Sequence, residues 1–437
     1  MANPRLKATK SSSPAITRHA TSAPAATPSA RAAKKAGRKS PATSGKAGHA
    51  YPLAPKLDLS KFRHAIDAID QRLIRLLHER SELVVEVGKA KQAQNIPIYA
   101  PHREAEVLER VLRLNQSAGG LLAERTIEGI WREIMSGSIQ LERPVRIGYL
   151  GPKGSFSHMA AVKHFGSSVS FENLHEIAGV FTEVQRGHVD YGLVPIENSA
   201  IGGIGETLDQ LVQLSETARG KGQAADRLPV HICAEVQLAV HHTMMANCEP
   251  AKVTRIYSKP EVLSQCRVWL AQQFPKAELI AAASSSRAVQ MVGEESEKMP
   301  PGTCTSAAIG SKLASELYGV SVLFDRIEDN PGNVTRFFVI GRHTVHASGK
   351  DKTTVMFTTL NKPGALARVL SDFERAGVNL THIDKRPSGR KNFSYTFFID
   401  AEGHATDKPV AHAIAESQEH CKELVVLGSF PASQRIL

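Results

Sequence analysis

LLHERSELVVEVGKAK, Leu76 to Lys91, lies inside a longer pattern in which Phe62, Ile66, Ile69, Leu73, Leu76, Leu83 and Val87 recur in alternating steps of four and three. Such spacing marks one apolar stripe of an α-helix. Between Leu76 and Val87 the stripe is broken once, by Arg80. Arg80, Val84, Val87 and Lys91 follow i, i+4, i+7, i+11 spacing, so the two cations share a face, about 16 Å apart along the axis. A buried cation without a partner costs several kcal/mol. One internal acid could answer a lone arginine. The next helix, however, opens with Arg103-Glu104, another cation directed inward, and several such cations imply a closed pocket for a small polyanion.

Working outward, residues 57–94 read as one helix ending near Ile96-Pro97. Pro101 suits the first turn of a second helix, PHREAEVLERVLRLN, which Gly119-Gly120 breaks. A third helix runs to about Glu142, making residues 56–143 an all-α three-helix domain. Character changes at Pro144. VRIGYLG, GSFSHMAAVKHF, DYGLVPIENS, ETLDQLVQL and the segments after them alternate strand with helix, so residues 145–342 form an α/β domain. Residues 352–432 read β-α-β-β-α-β, the ferredoxin-like α+β order.

Ten of the 54 Lys/Arg and none of the 43 Asp/Glu fall in residues 1–50, leaving 44 basic against 43 acidic residues in the remainder. The net charge of +11 therefore belongs to a tail over residues 1–55 that is rich in Ala, Ser, Thr, Pro and Lys. It carries too few large apolar residues to fold and is expected to be disordered. A nearly neutral remainder disfavours nucleic acid as a partner. Ser-rich, acid-poor composition would also suit a targeting peptide. The five cysteines (Cys233, Cys248, Cys266, Cys304 and Cys421) are scattered. Neither a disulfide framework nor a zinc site is expected, and a reducing cytoplasm fits. No apolar run is long enough for a membrane span.

LHERSELVVEVGKAK, the Pro-x-Tyr-x-Pro-x-Arg-Glu turn after it and Ser138 make residues 58–142 resemble the all-helical chorismate mutase domain. By that resemblance Arg63 is supplied to the site of a partner subunit in a homodimer. Arg80 and Lys91 clamp the substrate carboxylates, with Lys91 also reaching the ether oxygen. Arg103 supports them, Glu104 accepts the substrate hydroxyl and Ser138 is substrate-side. Chorismate to prephenate is a pericyclic rearrangement that needs no nucleophile; conformational capture and stabilisation of charge at the breaking C–O bond suffice. Ala100 stands where the family can carry an Asp. Glu142 stands where a Gln often donates to the ether oxygen. A carboxylate has no proton to give, so Glu142 is expected to act protonated, a state that burial favours.

GPKGSFSHMAA, PIENSAIGGIGETL, YSKPEVLSQC and GNVTRFFVIG place polar residues at strand ends and turns, where α/β proteins bind ligands. Each alone is ordinary. Together, in this order, they resemble prephenate dehydratase over residues 145–342, most specifically at Pro195–Asn198 and Asn333–Phe337. The resemblance implies two α/β lobes around a cleft, similar to periplasmic binding proteins. It makes Thr335 the acid or proton relay at the leaving hydroxyl, with Asn198, Ser199, Ser258 and Gln265 as positioning donors; Arg336 either neutralises a carboxylate, the favoured reading, or forms a structural pair within the lobe. Lys259 and Glu261 depart from the family's His and Gln.

NKPGALARVL begins a helix after a Pro-Gly turn, where free amides can hold a carboxylate. With NLTHIDKRPS it resembles an ACT domain, which implies L-phenylalanine as effector and Gly364, Ala365, Leu366 and Arg386 as its contacts. Asp384-Lys385 departs from the family's Glu-Ser. The whole chain thus reads as a bifunctional mutase–dehydratase of phenylalanine biosynthesis, acting on chorismate and prephenate without cofactor or metal. The rivals are a non-catalytic amino-acid sensor and a dehydratase acting on arogenate.

Overall fold

The computed structural model describes residues 59–220, 228–387, 395–433 and 435–437. The expected basic tail, residues 1–55, lies outside them. Packing divides the chain into two units, Met1–Ile66 and Asp67–Leu437. Among the described residues the first holds the opening turns of helix α1 (Leu59–Ala93), with Leu59, Phe62, Arg63 and Ile66 exposed. The second holds everything described below.

Helix α2 (Pro101–Ser117) begins on its proline, whose missing N–H costs nothing at a helix start. It packs against α3 (Glu124–Glu142). Gly88 lets α1 meet the end of α3, since a Cβ there would stand 2.9 Å from Glu142 Cα. That approach turns Val84, Val85, Gly88 and Lys91 inward. It leaves the apolar stripe, expected to be buried, open: Ile69, Leu73, Leu76, Leu83 and Val87 are 47–69% exposed in the single chain.

The α/β domain has two lobes. Strands β1 (Arg146–Leu150), β2 (Ser170–Leu174), β3 (Tyr191–Asn198), the short β4 (Gly202–Gly203) and β5 (His231–Ala239) belong to lobe one, with helices α4 (Phe156–Phe165), α5 (Ile177–Arg186) and α6 (Gly205–Gly220). Lobe two holds β6 (Thr243–Met245), β7 (Arg255–Ser258), β8 (Glu278–Ala281), β9 (Ser306–Gly310) and β10 (Val322–Phe324). Its helices are α7 (Pro260–Gln265), α8 (Arg267–Gln273), α9 (Ser285–Lys298) and α10 (Lys312–Tyr318). The chain then returns as β11 (Val334–Gly341), which lies antiparallel between β3 and β5. The sheet orders are β2-β1-β3-β11-β5, with β4 on β3, and β10-β6-β9-β7-β8.

The C-terminal domain runs β12 (Asp351–Thr359), α11 (Ala365–Arg375), β13 (Leu380–Pro387), β14 (Tyr395–Glu402), α12 (Lys408–Gln418) and β15 (Cys421–Pro431), in the sheet order β13-β14-β12-β15. Its sheet shares a core with lobe one, where Phe338 and Ile340 meet Met356, Phe398, Val425 and Phe430. Tyr99, on the loop joining α1 to α2, is buried among Phe165, Tyr191 and Phe337 of lobe one and lies 2.6 Å from His164 Nε2. No described helix is long and apolar enough to cross a membrane.

Candidate functional site

In the helical domain Arg80 is half-buried, and its Nη1 donates to Ser138 Oγ at 2.5 Å. Burial and then Arg110 push its pKa below the usual value, while Glu142 opposes them. Among the described residues Arg80 makes no ion pair, so most of its donors are unspent on acids. Lys91 differs. Its ammonium donates to Glu142 Oε2 at 2.7 Å and to the Ile98 carbonyl at 3.0 Å. Glu104 is held at 2.8 Å by Arg132, with side chains only 15% and 17% exposed. Burial raises the Glu104 pKa against the pull of Arg132 and Lys91.

In the α/β domain, β3 and β11 pair so that Asn198 stands opposite Thr335. Asn198 Nδ2 donates to Thr335 Oγ1 and to Asn333 Oδ1, both at 2.8 Å. Its own Oδ1 accepts from Ala200 N. The amide is thereby oriented, and Thr335 Oγ1 becomes an acceptor whose proton is free to point elsewhere. Ser199 bridges the same two strands, accepting from Val334 N and donating to Gly332 O. Gln265 Oε1 lies 2.6 Å from His242 Nε2 and 3.5 Å from Asn333 Nδ2, which ties lobe two to the group. If Nε2 carries the His242 proton, Nδ1 is a buried acceptor with no hydrogen-bond partner among the described residues. Burial lowers the His242 pKa, with the Gln265 bond and Glu328 opposing. The GPKGS loop clasps lobe two: Gly154, at φ +77°, sits against Ser286 and Ala314, and its carbonyl accepts from Ser311 Oγ at 2.5 Å.

In the C-terminal domain a cavity of about 510 Å³ is lined by Gly364, Ala365, Leu366, Leu370, Tyr395 and Phe397, among others. Gly364 has φ +75°, a left-handed turn that lets the chain enter α11 with its first amides at the cavity wall.

Three family models match in chain order: chorismate mutase type II over residues 62–143, prephenate dehydratase over 147–345 and the ACT domain over 353–416. A bifunctional chorismate mutase/prephenate dehydratase of Stutzerimonas stutzeri is 38% identical over 380 residues, 85% of this chain and 97% of the relative. The chain belongs to the bifunctional chorismate mutase/prephenate dehydratase family. A relative of the same description from Aquifex aeolicus is 35% identical over 86% of this chain and 98% of its own. The solved prephenate dehydratase of Arthrobacter aurescens in complex with L-Phe is 31% identical, with a TM-score of 0.57. It covers 66% of this chain and 90% of its own.

Within this family frame the structure gathers Arg80, Lys91, Ser138 and Glu142 between α1 and α3, and Asn198, Ser199, Gln265 and Thr335 across the dehydratase lobes. It corrects four expectations. Arg103 turns outward, 57% exposed, and pairs with Glu106 at 2.7 Å. It neighbours Glu104 on α2, and successive helical positions point about 100° apart. Ser258 is buried and spends its proton on the Ile309 carbonyl, linking β7 to β9. Arg336 follows Thr335 on a strand and faces the opposite side, paired with Asp400. Arg386 turns from the ACT cavity and grips both oxygens of Asp209 on α6, at 2.7 and 2.6 Å. Glu142, expected as a proton donor, accepts from Lys91; that pair must open before it can donate. Sequence reasoning missed Arg132, Asn333 and His242. The adjacent His241-His242 pair at the lobe crossing was a signal for the last.

Proposed function

We propose that two separate sites on this chain act on consecutive intermediates. As a family member the chain is an isomerase and a lyase. Chorismate becomes prephenate, and prephenate becomes phenylpyruvate, water and CO2. At the mutase site Arg80 holds a substrate carboxylate, because its donors are the ones left without an internal acid. Lys91 reaches the second carboxylate and the ether oxygen once released from Glu142. Glu104, fixed by Arg132, accepts the substrate hydroxyl. Each such electrostatic contact supplies about 3 kcal/mol of transition-state stabilisation.

At the dehydratase site the observation that carries the reading is the Asn198–Thr335 hydrogen bond. With Oγ1 engaged as acceptor, the Thr335 proton is presented to the leaving hydroxyl. The C–O bond breaks as that proton passes to the departing hydroxyl, which leaves as water, and Thr335 regains a proton from solvent. The bond to the carboxylate breaks with its electron pair flowing into the ring, which becomes aromatic. Asn198 and Ser199 support Thr335, and Gln265 with His242 close the polar group from lobe two.

The exposed stripe on α1 supports a homodimer. Each half-covered Leu, Ile or Val gains about 1 kcal/mol when a second copy covers it. In such a dimer Arg63 would reach the mutase site of the other copy. The ACT cavity is read as the phenylalanine site, its carboxylate on the first amides of α11 and its ring toward Leu370, Tyr395 and Phe397. The testing experiment gives the purified chain chorismate, prephenate and arogenate in turn. Turnover of chorismate and prephenate, slowed at the second step by phenylalanine, supports the reading. Turnover of arogenate alone overturns it.

A further inference from the structure

Strands alternate their faces, so the residues beside Asn198 and Thr335 point away from the cleft. They are Glu197 and Arg336, and both meet the ACT sheet. Glu197 Oε2 lies 3.4 Å from His382 Nδ1 on β13. Arg336 Nη2 donates to Asp400 on β14, whose other oxygen accepts from Thr354 Oγ1 on β12 at 2.6 Å. Arg336 Nε lies 3.3 Å from Glu235 Oε1, at an angle that makes an ion pair without a hydrogen bond. Lys352 on β12 holds both Glu235 oxygens at 3.2 Å. Farther along β13, Asp384 and Arg386 lie where side chains on Gly203 and Gly205 would otherwise stand, against the loop after Ser199. Alternate residues of β13 (His382, Asp384 and Arg386) thus form one face laid on the dehydratase.

We propose that this seam sets the dehydratase site of its own chain. Glu197 and Arg336 are positioning residues that hold the Asn198–Thr335 pair, anchored by His382 and Asp400. A ligand in the ACT cavity, which is bordered by Tyr395 at the head of β14, shifts β13 and β14 and so moves two donors it never touches. This rests on the dehydratase and phenylalanine readings above and adds the route between them. Arg336 and Arg386 are thereby connectors between domains, whichever small molecules each site takes.

The test uses the full chain with Asp400→Asn, which keeps an acceptor for Thr354, and with Glu197→Gln, which is partly exposed and safe for folding. The expected result is about a tenfold fall in dehydratase kcat with KM nearly unchanged and chorismate turnover within about twofold of the parent. Phenylalanine still raises the melting temperature, but its half-inhibiting concentration rises about fivefold or more. Asp209→Asn severs only the Arg386 end; it should leave the uninhibited rates alone and still blunt inhibition. Unchanged kcat and unchanged inhibition in both Asp400→Asn and Glu197→Gln overturn the proposal. So does a dehydratase loss matched by an equal mutase loss, which would mark a general structural effect. A parent chain that binds phenylalanine without inhibition refutes the regulatory reading instead, and the kcat results then decide the seam.

Discussion

Thr335→Val removes one hydroxyl and little else, because valine has nearly the shape of threonine. Asn198 Nδ2 now has two acceptors at 2.8 Å, Asn333 Oδ1 and Thr335 Oγ1. The variant leaves it one. Losing a buried hydrogen bond of this kind costs about 1–1.5 kcal/mol of stability. In a domain of this size that lowers the melting temperature by about 2–6 °C. Loss of the proton donor to the leaving group costs about 10²- to 10⁴-fold in rate, or roughly 3–5.5 kcal/mol of barrier. The chemical effect therefore exceeds the structural one, and the two separate cleanly. The assay follows phenylpyruvate from prephenate and, in parallel, chorismate disappearance. Phenylpyruvate formation should fall at least about a hundredfold while chorismate consumption holds. Thr335→Ser, which restores a hydroxyl, should recover much of the loss. A valine variant that keeps prephenate turnover within about threefold of the parent would remove Thr335 from the chemistry.

Arg80→Ala should cut chorismate turnover by about a hundredfold or more and leave prephenate turnover intact; equal activity in both assays refutes its role. Glu142→Gln removes the carboxylate that holds the Lys91 ammonium and puts a permanent amide donor in its place, so chorismate turnover should be kept or raised. A clear loss of chorismate turnover in this variant would take the donor role at the ether oxygen away from Glu142. His164 is held down to about 3 by burial, with Arg132 adding to the effect, against an ordinary 6.5. Below pH 6.5 the unfolded chain binds a proton that the folded chain refuses. Stability should therefore fall on acidification by about 1.4 kcal/mol per pH unit from this group, with no contribution above pH 6.5. Denaturant titrations of His164→Gln between pH 7 and 4 should show a shallower slope; an unchanged slope contradicts this.

Much of the architecture was legible because its signals are local. Pro101 starts α2, Gly119-Gly120 ends it, and the β-α-β-β-α-β order of the ACT domain follows from strand and helix periods. The same local logic could have corrected one expectation in advance: Thr335 and Arg336 are adjacent on a strand and cannot both line one cleft. Other features depend on contacts that no spacing encodes. Arg386 finds Asp209 across 177 positions, and Arg132 finds Glu104 between separate helices. The stripe on α1 was read correctly as apolar, but in the single chain it is left uncovered because Gly88 sets a different face against α3.

Two chemically independent sites on one chain, used in succession, leave a signature in the time course of intermediates. The decisive measurement gives purified protein chorismate alone and follows the reaction by chromatography. Chorismate should disappear, prephenate rise and fall, and phenylpyruvate accumulate. With Thr335→Val, prephenate should become the end product. Untouched chorismate, or prephenate as the end product of the unaltered chain, would show that the two sites do not act in succession.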